Sequence, residues 1–523
     1  MAELALALDE PVAEQPATIP RLPDVGPRPL SYGQERLWFL AQLQPGSTAY
    51  HICGGLRIDG RLDLQALGSA FQALTERHAL LRTRFVSIDG KPMQIAQTGV
   101  QAPLARIEVD ATRLGQVPDV NAPFDFEAGP LWRAVLCSCG TDRHALWLTL
   151  HHLLADGWSV GRLLAEFAEL YAAALHGRQP QLPALAIDYA DYAVWQRQWL
   201  AAGEADRQLH YWRRQLGGEH PTLALPCDHA RPERLSGVGA SHGLALPAGL
   251  GAAVKRLALA NDTTPFVVLL TAFSALLYRY SGQADVRIGV PVANRQRLET
   301  DMLIGFFVNT LVIKAECRGE WNLSQCLQRL KQTVLQAQEH PDLPFEHLVE
   351  ALQPQRAPNR NPLFQVMFNH QKRDLQVLQT LPDLLIERIE AEEAGAQFDL
   401  SLATEEDADG NFSARWVYAA DLFSAETIAR LAGHFLNLLD GWTQNPELPL
   451  AALVLLSPAE LAQQSAGNAT ATVYPEGLVP EWLSRAAARR PWAPALALGE
   501  AELSYAELEA RSNRLAHWLI ARG

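Results

Sequence analysis

The sequence has little cysteine, no surplus of positive charge and no long uncharged apolar run, and each shortage removes a class of function. Its six cysteines, of which only Cys137 and Cys139 lie close together, are too sparse for a disulfide framework or a zinc site. They suit reduced thiols in a cytoplasmic protein. The formal net charge is −14, whereas a nucleic-acid partner would call for basic patches that displace counterions. No stretch approaches the roughly 18 uncharged apolar residues of a membrane span. The N-terminus carries Glu3 and Asp9 in place of a basic n-region, which argues against a secretion signal. What is present, 48% hydrophobic and 20% charged residues over 523 positions, describes a soluble globular chain with a large core and room for several domains.

The most informative stretch is His151-His152-Leu153-Leu154-Ala155-Asp156-Gly157-Trp158-Ser159. Ala145 to Leu150 before it is apolar and β-prone, and reads as a buried strand. After it, Val160, Leu163, Leu164, Phe167, Leu170, Tyr171 and Ala174 recur at helical spacing, with Ser159 as cap and Gly177 and Pro180 as the stop. Two histidines, an aspartate and a glycine therefore sit where a strand gives way to a helix, a place from which a rigid scaffold aims side chains. Alternation along a strand sends His151 and His152 to opposite faces, so one can act on a substrate while the other packs behind it. Asp156 is close enough to brace the turn. Three readings fit: an active-site histidine; a buried, hydrogen-bonded pair beside a turn-forming Asp-Gly; or a metal set of His, His and Asp, which opposite-facing histidines disfavour.

Elsewhere, residues 1–28 are rich in Ala, Pro, Glu and Asp and read as a flexible leader. A helix is expected from about Leu62 to Glu76, with Arg77, Arg82 and Arg84 as a solvated, dipole-favoured end. A charged, Trp-rich helical stretch running to about Gly218 reads as a passage between two lobes. Thr264 and Pro265 open an apolar, buried helix to Tyr280, followed by a strand at Val286, Ile288 and Val290 that leads to Asn294-Arg295. This second half holds no second histidine motif. From about Leu448 the texture changes. Glu481 to Arg489 reads as a short helix, and Ser504 with Glu507 forms a capping box for a helix expected to bury Leu508, Leu515, Leu519 and Ile520.

His-His-x-x-x-Asp-Gly at a strand-to-helix junction resembles the core motif of the condensation domains of nonribosomal peptide synthetases, which belong to the chloramphenicol-acetyltransferase-like acyltransferases. Six further stretches resemble the family's other core motifs, in order: Ser31 to Trp38, Arg77 to Phe85, Ile187 to Gln196, Ile304 to Leu311, His340 to Val349 and Arg360 to Phe368. Leu455 to Pro458 and Thr472 to Pro475 resemble the linker into an adenylation domain. The resemblance implies an α/β (α+β) fold of two acetyltransferase-like lobes in a V-shaped pseudo-dimer with a central tunnel. The expected parts are a leader over 1–28, an N-lobe over 29–200, a C-lobe over 201–450, a linker over 451–475 and the truncated start of an adenylation domain over 476–523.

The same resemblance implies amide formation between an acyl or peptidyl thioester donor and the amine of an aminoacyl thioester. His152 maps to the reaction centre. His151 and Asp156 map to supporting positions, Arg295 to the partner of Asp156, and Gly157 to a point of close substrate approach with a possible oxyanion-binding amide. No metal and no bound cofactor is expected, since the substrates ride on the phosphopantetheine of carrier proteins. The implied partners are donor and acceptor peptidyl carrier proteins, a downstream adenylation domain and an upstream synthetase acting in trans. A heterocyclisation domain would carry aspartates where His151 and His152 stand. The alternatives left are a starter domain taking a fatty acyl thioester, an epimerisation domain and a non-catalytic recruitment module of the same fold. Phe368 to Gln371 and Gln397 to Leu402 resemble domains whose donor ends in a D-residue.

Overall fold

The computed structural model describes residues 18–23, 26–111, 113–114, 120, 122–353, 359–372, 376–379, 381, 383–389, 395–473 and 476–523. Most of the expected leader and the Tyr474-Pro475 pair of the expected linker lie outside the described residues. The chain divides into two compact units, the first ending at Ser457 and the second covering Pro458–Gly523.

The first unit is a mixed α/β structure built on two open sheets. In the first lobe the strand order is Leu384–Ile389, His51–Gly60, Arg143–His151, Trp132–Ser138, Leu104–Glu108. Neighbours are antiparallel except for the last pair, which is parallel. Arg143–His151 is central and buried over nearly its whole length, which accounts for its continuous apolar run. Asp63 caps the helix Leu64–Arg77 by accepting from the Gln65 and Ala66 N–H groups. That helix packs its apolar face (Leu67, Phe71, Leu74) into the same core as Phe167 and Tyr171 of the helix Gly157–Leu175.

In the second lobe the order is Asn309–Glu316, Asp285–Val292, Val366–Lys372, Leu400–Glu406, Phe412–Ala419, Gly239–Ala245. Its core is organised around Pro265–Ser281, in which every residue from Val267 to Leu277 is buried. Among the described residues no single helix is long and apolar enough to cross a membrane. Ala248–Ala260 and Pro265–Ser281 reach that composition only as a pair bent by 106°.

Two features cross between the lobes. Tyr189–Trp199, the wide turn Leu200–Glu204 and Ala205–Leu216 form one run, with Gly203 at φ 114°. Tyr192 and Trp195 enter the first core, whereas Tyr211, Trp212 and Leu216 enter the second. In return, Leu384–Ile389, which falls within the segment assigned to the C-lobe, pairs with His51–Gly60 of the first sheet. Leu384 and Ile386 alternate inward into the first core while Leu385 is 58% exposed. Leu450 and Leu453, at the expected linker boundary, are buried in the second core.

In the second unit, Val479–Arg489, the hairpin Pro494–Leu498 with Ala501–Ser504, and Tyr505–Ile520 follow one another. Ser504 and Glu507 form the capping box. The expected burial along this last helix is not found: Leu515, Leu519 and Ile520 are exposed at 57%, 54% and 75%. So small a unit offers too little surface to cover a full apolar face.

Candidate functional site

The histidine motif lies at the C-terminal end of the central strand. His151 is the last strand residue, paired in register with His51. Its side chain is buried at 3% exposure, against the rings of His51 and Phe126. Its Nδ1 accepts from the Leu153 N–H at 3.1 Å. Burial first, then the neighbouring His51 and His152, lower its pKa to about 3, so this imidazole stays neutral.

His152 is held by backbone and side chain together. Its N–H donates to the Tyr50 carbonyl at 2.9 Å. Its Nδ1 lies 3.0 Å from the Ala155 carbonyl, and a carbonyl only accepts, so Nδ1 carries the hydrogen and Nε2 the lone pair. The ring meets Phe306 of the second lobe edge-on at 5.5 Å. It lies deep in the protein yet keeps partial solvent contact, in contrast with His151. Burial holds its pKa below the ordinary histidine value, opposed by the Ala155 carbonyl and the Asp156 charge. At neutral pH the site therefore presents an oriented, unprotonated imidazole nitrogen.

Asp156, fully buried, is the N-cap of Gly157–Leu175; Ser159, expected in that role, stands three residues further on. Asp156 Oδ1 accepts from the Ser159 N–H at 2.8 Å, and Oδ2 from the Phe307 N–H at 3.1 Å. The same carboxylate also receives the Phe307 N–H from the second lobe, which explains the shift of cap. Ser159 Oγ becomes a junction instead, within 2.7 Å of Asp156 Oδ1, 2.8 Å of the Gly305 carbonyl and 2.8 Å of Arg295 Nη2. Arg295 reaches over from the second lobe to 3.4 Å from Asp156 Oδ1. It also donates to the Thr300 and Leu303 carbonyls and lies 4.1 Å over the Phe307 ring. Asp156 thus ties the turn to the other lobe and makes no hydrogen bond to His152 among the described residues.

Gly157 opens the helix and is exposed. A Cβ there would meet the Gln371 amide of the second lobe at 3.3 Å. Its N–H is among the first-turn groups without an intrahelical acceptor. The remaining motif residues buttress this arrangement. Gln34 donates to the Leu153 carbonyl at 3.0 Å. Ser31 donates to the Tyr189 oxygen at 2.8 Å, and that phenol donates to the Phe306 carbonyl at 2.6 Å. Arg36 pairs across the lobes with Glu346 at 2.9 Å. Arg77, expected to be solvated, instead joins His78 on the buried Glu166 carboxylate, at 3.0 and 2.7 Å. Glu166 carried no sequence signal of its own, because only the packing of two helices brings it to the arginine. No cluster of metal-ligating side chains occurs among the described residues.

Residues 26–464 match the model of the condensation domain family. A linear gramicidin synthase of Brevibacillus parabrevis is 40% identical over 508 residues, covering 95% of this chain and 6% of the relative. The chain spans between 6% and 48% of the length of curated relatives of this kind. Among solved structures, the X-domain from teicoplanin biosynthesis is 26% identical at a TM-score of 0.75, covering 84% of this chain and 100% of that one. A four-domain nonribosomal peptide synthetase bound to AMP and glycine shares the fold at a TM-score of 0.79 and 23% identity, over 97% of this chain and 40% of that one. The chain belongs to the condensation domain family of nonribosomal peptide synthetases, whose members are in general amide-bond-forming acyltransferases.

Proposed function

We propose that this chain joins an upstream acyl or peptidyl thioester to the amine of a carrier-bound aminoacyl thioester, with His152 at the reaction centre. The observation that carries this reading is the fixed tautomer of His152: with Nδ1 committed to Ala155, Nε2 is the nitrogen left to take a proton. In the reaction the amine nitrogen attacks the thioester carbon, the C–N bond forms and the C–S bond breaks. The proton lost by nitrogen passes through Nε2 to the departing thiolate. The thioester supplies the driving force, so the chain itself has to align the two groups and handle one proton. The substrates arrive on phosphopantetheine arms of donor and acceptor carrier proteins through a tunnel between the lobes. An adenylation domain downstream and an upstream module that delivers the donor are the partners this implies.

Within this reading the donor ends in a D-residue, on the resemblance of Phe368 to Gln371 and Gln397 to Leu402 to domains of that preference. Competition between carrier-bound D- and L-terminated peptidyl donors and an acyl-CoA, with one acceptor, tests it. Preference for the acyl-CoA would favour a starter domain, and preference for the L-donor would reject the stereochemical assignment. Conversion of an L-aminoacyl carrier to its D-form would favour epimerisation.

One observation favours a second reading. The solved structure named above at 26% identity is an X-domain, and another structure shows that X-domain in complex with OxyB. A recruitment module needs the fold but not the chemistry. Amide formation measured with loaded carriers, wild type against His152→Ala, separates the two: no amide from either protein would favour recruitment.

A further inference from the structure

The second lobe places two glutamine amides on either side of the His152 loop. On one side, Gln397 Nε2 donates to the Ala49 carbonyl at 3.0 Å. Ala49 precedes Tyr50, whose carbonyl takes the His152 N–H, and His51, whose ring packs on His151. On the other side, the Gln371 amide lies against Gly157. Its direction follows from strand alternation: Phe368 of Val366–Lys372 is fully buried in the core, so Gln371, three residues on, points from the opposite face. Its neighbour His370 is engaged by Thr404 at 2.9 Å, whereas the Gln371 side chain makes no hydrogen bond to the described residues.

We infer that Gln397 and Gln371 are positioning residues, a pair of second-lobe amides that grip the loop carrying His152 from its two flanks. The inference rests on the acyl-transfer reading above. The Ala49 carbonyl is one peptide from the acceptor that fixes the His152 backbone, so a shift there passes straight to the imidazole. Gln371 limits the opposite flank by occupying the space over Gly157. The Asp156–Arg295 contact holds the lobes together at the turn, and the two glutamines set where the histidine stands within that closed arrangement. Misplacing a reacting group by a fraction of an ångström lowers turnover more than binding.

The test uses the full chain with loaded carrier proteins. Gln397→Leu removes the donor and Gln397→Lys keeps an N–H donor of similar reach, whereas Gln371→Ala empties the space over Gly157 and Gln371→Met refills it without the amide. Gln397→Leu and Gln371→Ala are each expected to lower kcat by about tenfold, with KM for both carriers and the melting temperature unchanged, and Gln397→Lys and Gln371→Met to recover most of each loss. Wild-type kcat in Gln397→Leu, or a loss of kcat that tracks a loss of melting temperature, overturns the inference. His152→Ala serves as the control for the chemistry itself. Should wild type and His152→Ala form no amide, the acyl-transfer reading fails, and the positioning claim is judged on ¹⁵N resonances of selectively labelled histidine. A His152 imidazole signal unmoved in Gln397→Leu then overturns it, and a displaced signal sustains it.

Discussion

Arg295 stands 3.4 Å from the Asp156 carboxylate, and their side chains are 3% and 0% exposed. The pair joins a turn of the first lobe to a loop of the second, with Ser159 Oγ and the Phe307 N–H completing the carboxylate's shell. An aspartate so placed maintains the site's shape, which leaves the proposed proton chemistry to His152.

Asp156→Ala is therefore expected to be a folding mutant before it is a catalytic one. It strips the helix of its cap and leaves the Arg295 guanidinium buried without its counter-charge, a change costing roughly 3–5 kcal/mol. Solubility and melting temperature check this. A variant as heat-stable as wild type but inactive would assign Asp156 a direct part in the chemistry.

His152→Ala is expected to leave the melting temperature near that of wild type and to cut amide formation by about 10²–10⁴-fold, the usual contribution of a positioned base. Carrier binding, measured without turnover, should persist. Full turnover would show that alignment alone carries the rate.

The pH profile should follow from the same residue. Burial keeps His152 unprotonated to below the ordinary histidine pKa, so the acidic limb of kcat is expected to lie below about pH 6.5. A limb centred at or above that value would mean that the titrating group is another one.

His151 gives a stability counterpart. Its folded pKa is about 3, so between roughly pH 6.5 and that value the unfolded chain binds a proton that the folded chain refuses. Its contribution is full above pH 6.5 and declines by about 1.4 kcal/mol per pH unit as the pH falls through that window. Urea unfolding against pH should show a shallower acid slope in His151→Gln than in wild type.

Gly305→Ala probes the second lobe's side of the turn. A Cβ there would sit 2.0 Å from Tyr189 Cδ2, too close for the phenol that supports the Phe306 carbonyl. A loss of about 1–3 kcal/mol is expected from such overpacking. Because Gly305 also holds Ser159 through its carbonyl and N–H, activity should fall with it. Calorimetry and the carrier assay on one preparation check both.

The sequence alone determined what short-range rules govern. Strand alternation separates His151 from His152, apolar periodicity marks Gly157–Leu175 and Pro265–Ser281 as helices, and the Ser504 box marks the start of Tyr505–Ile520, because each signal is contained within a few residues. The spacing of the histidine motif and its companion stretches likewise carried the family resemblance. Only the tertiary structure decided which residues meet across large separations in the chain. It made Asp156 rather than Ser159 the cap, because the aspartate also receives the Phe307 N–H from the other lobe. It sent Leu384–Ile389 to the first sheet, buried Glu166 between Arg77 and His78, and left Leu515 and Leu519 uncovered. It alone set Gln397 against Ala49 and Gln371 against Gly157. A side chain's local pattern records which way it points, whereas its partner is chosen by how two lobes close on each other, a property of the whole packed core that no window of sequence contains.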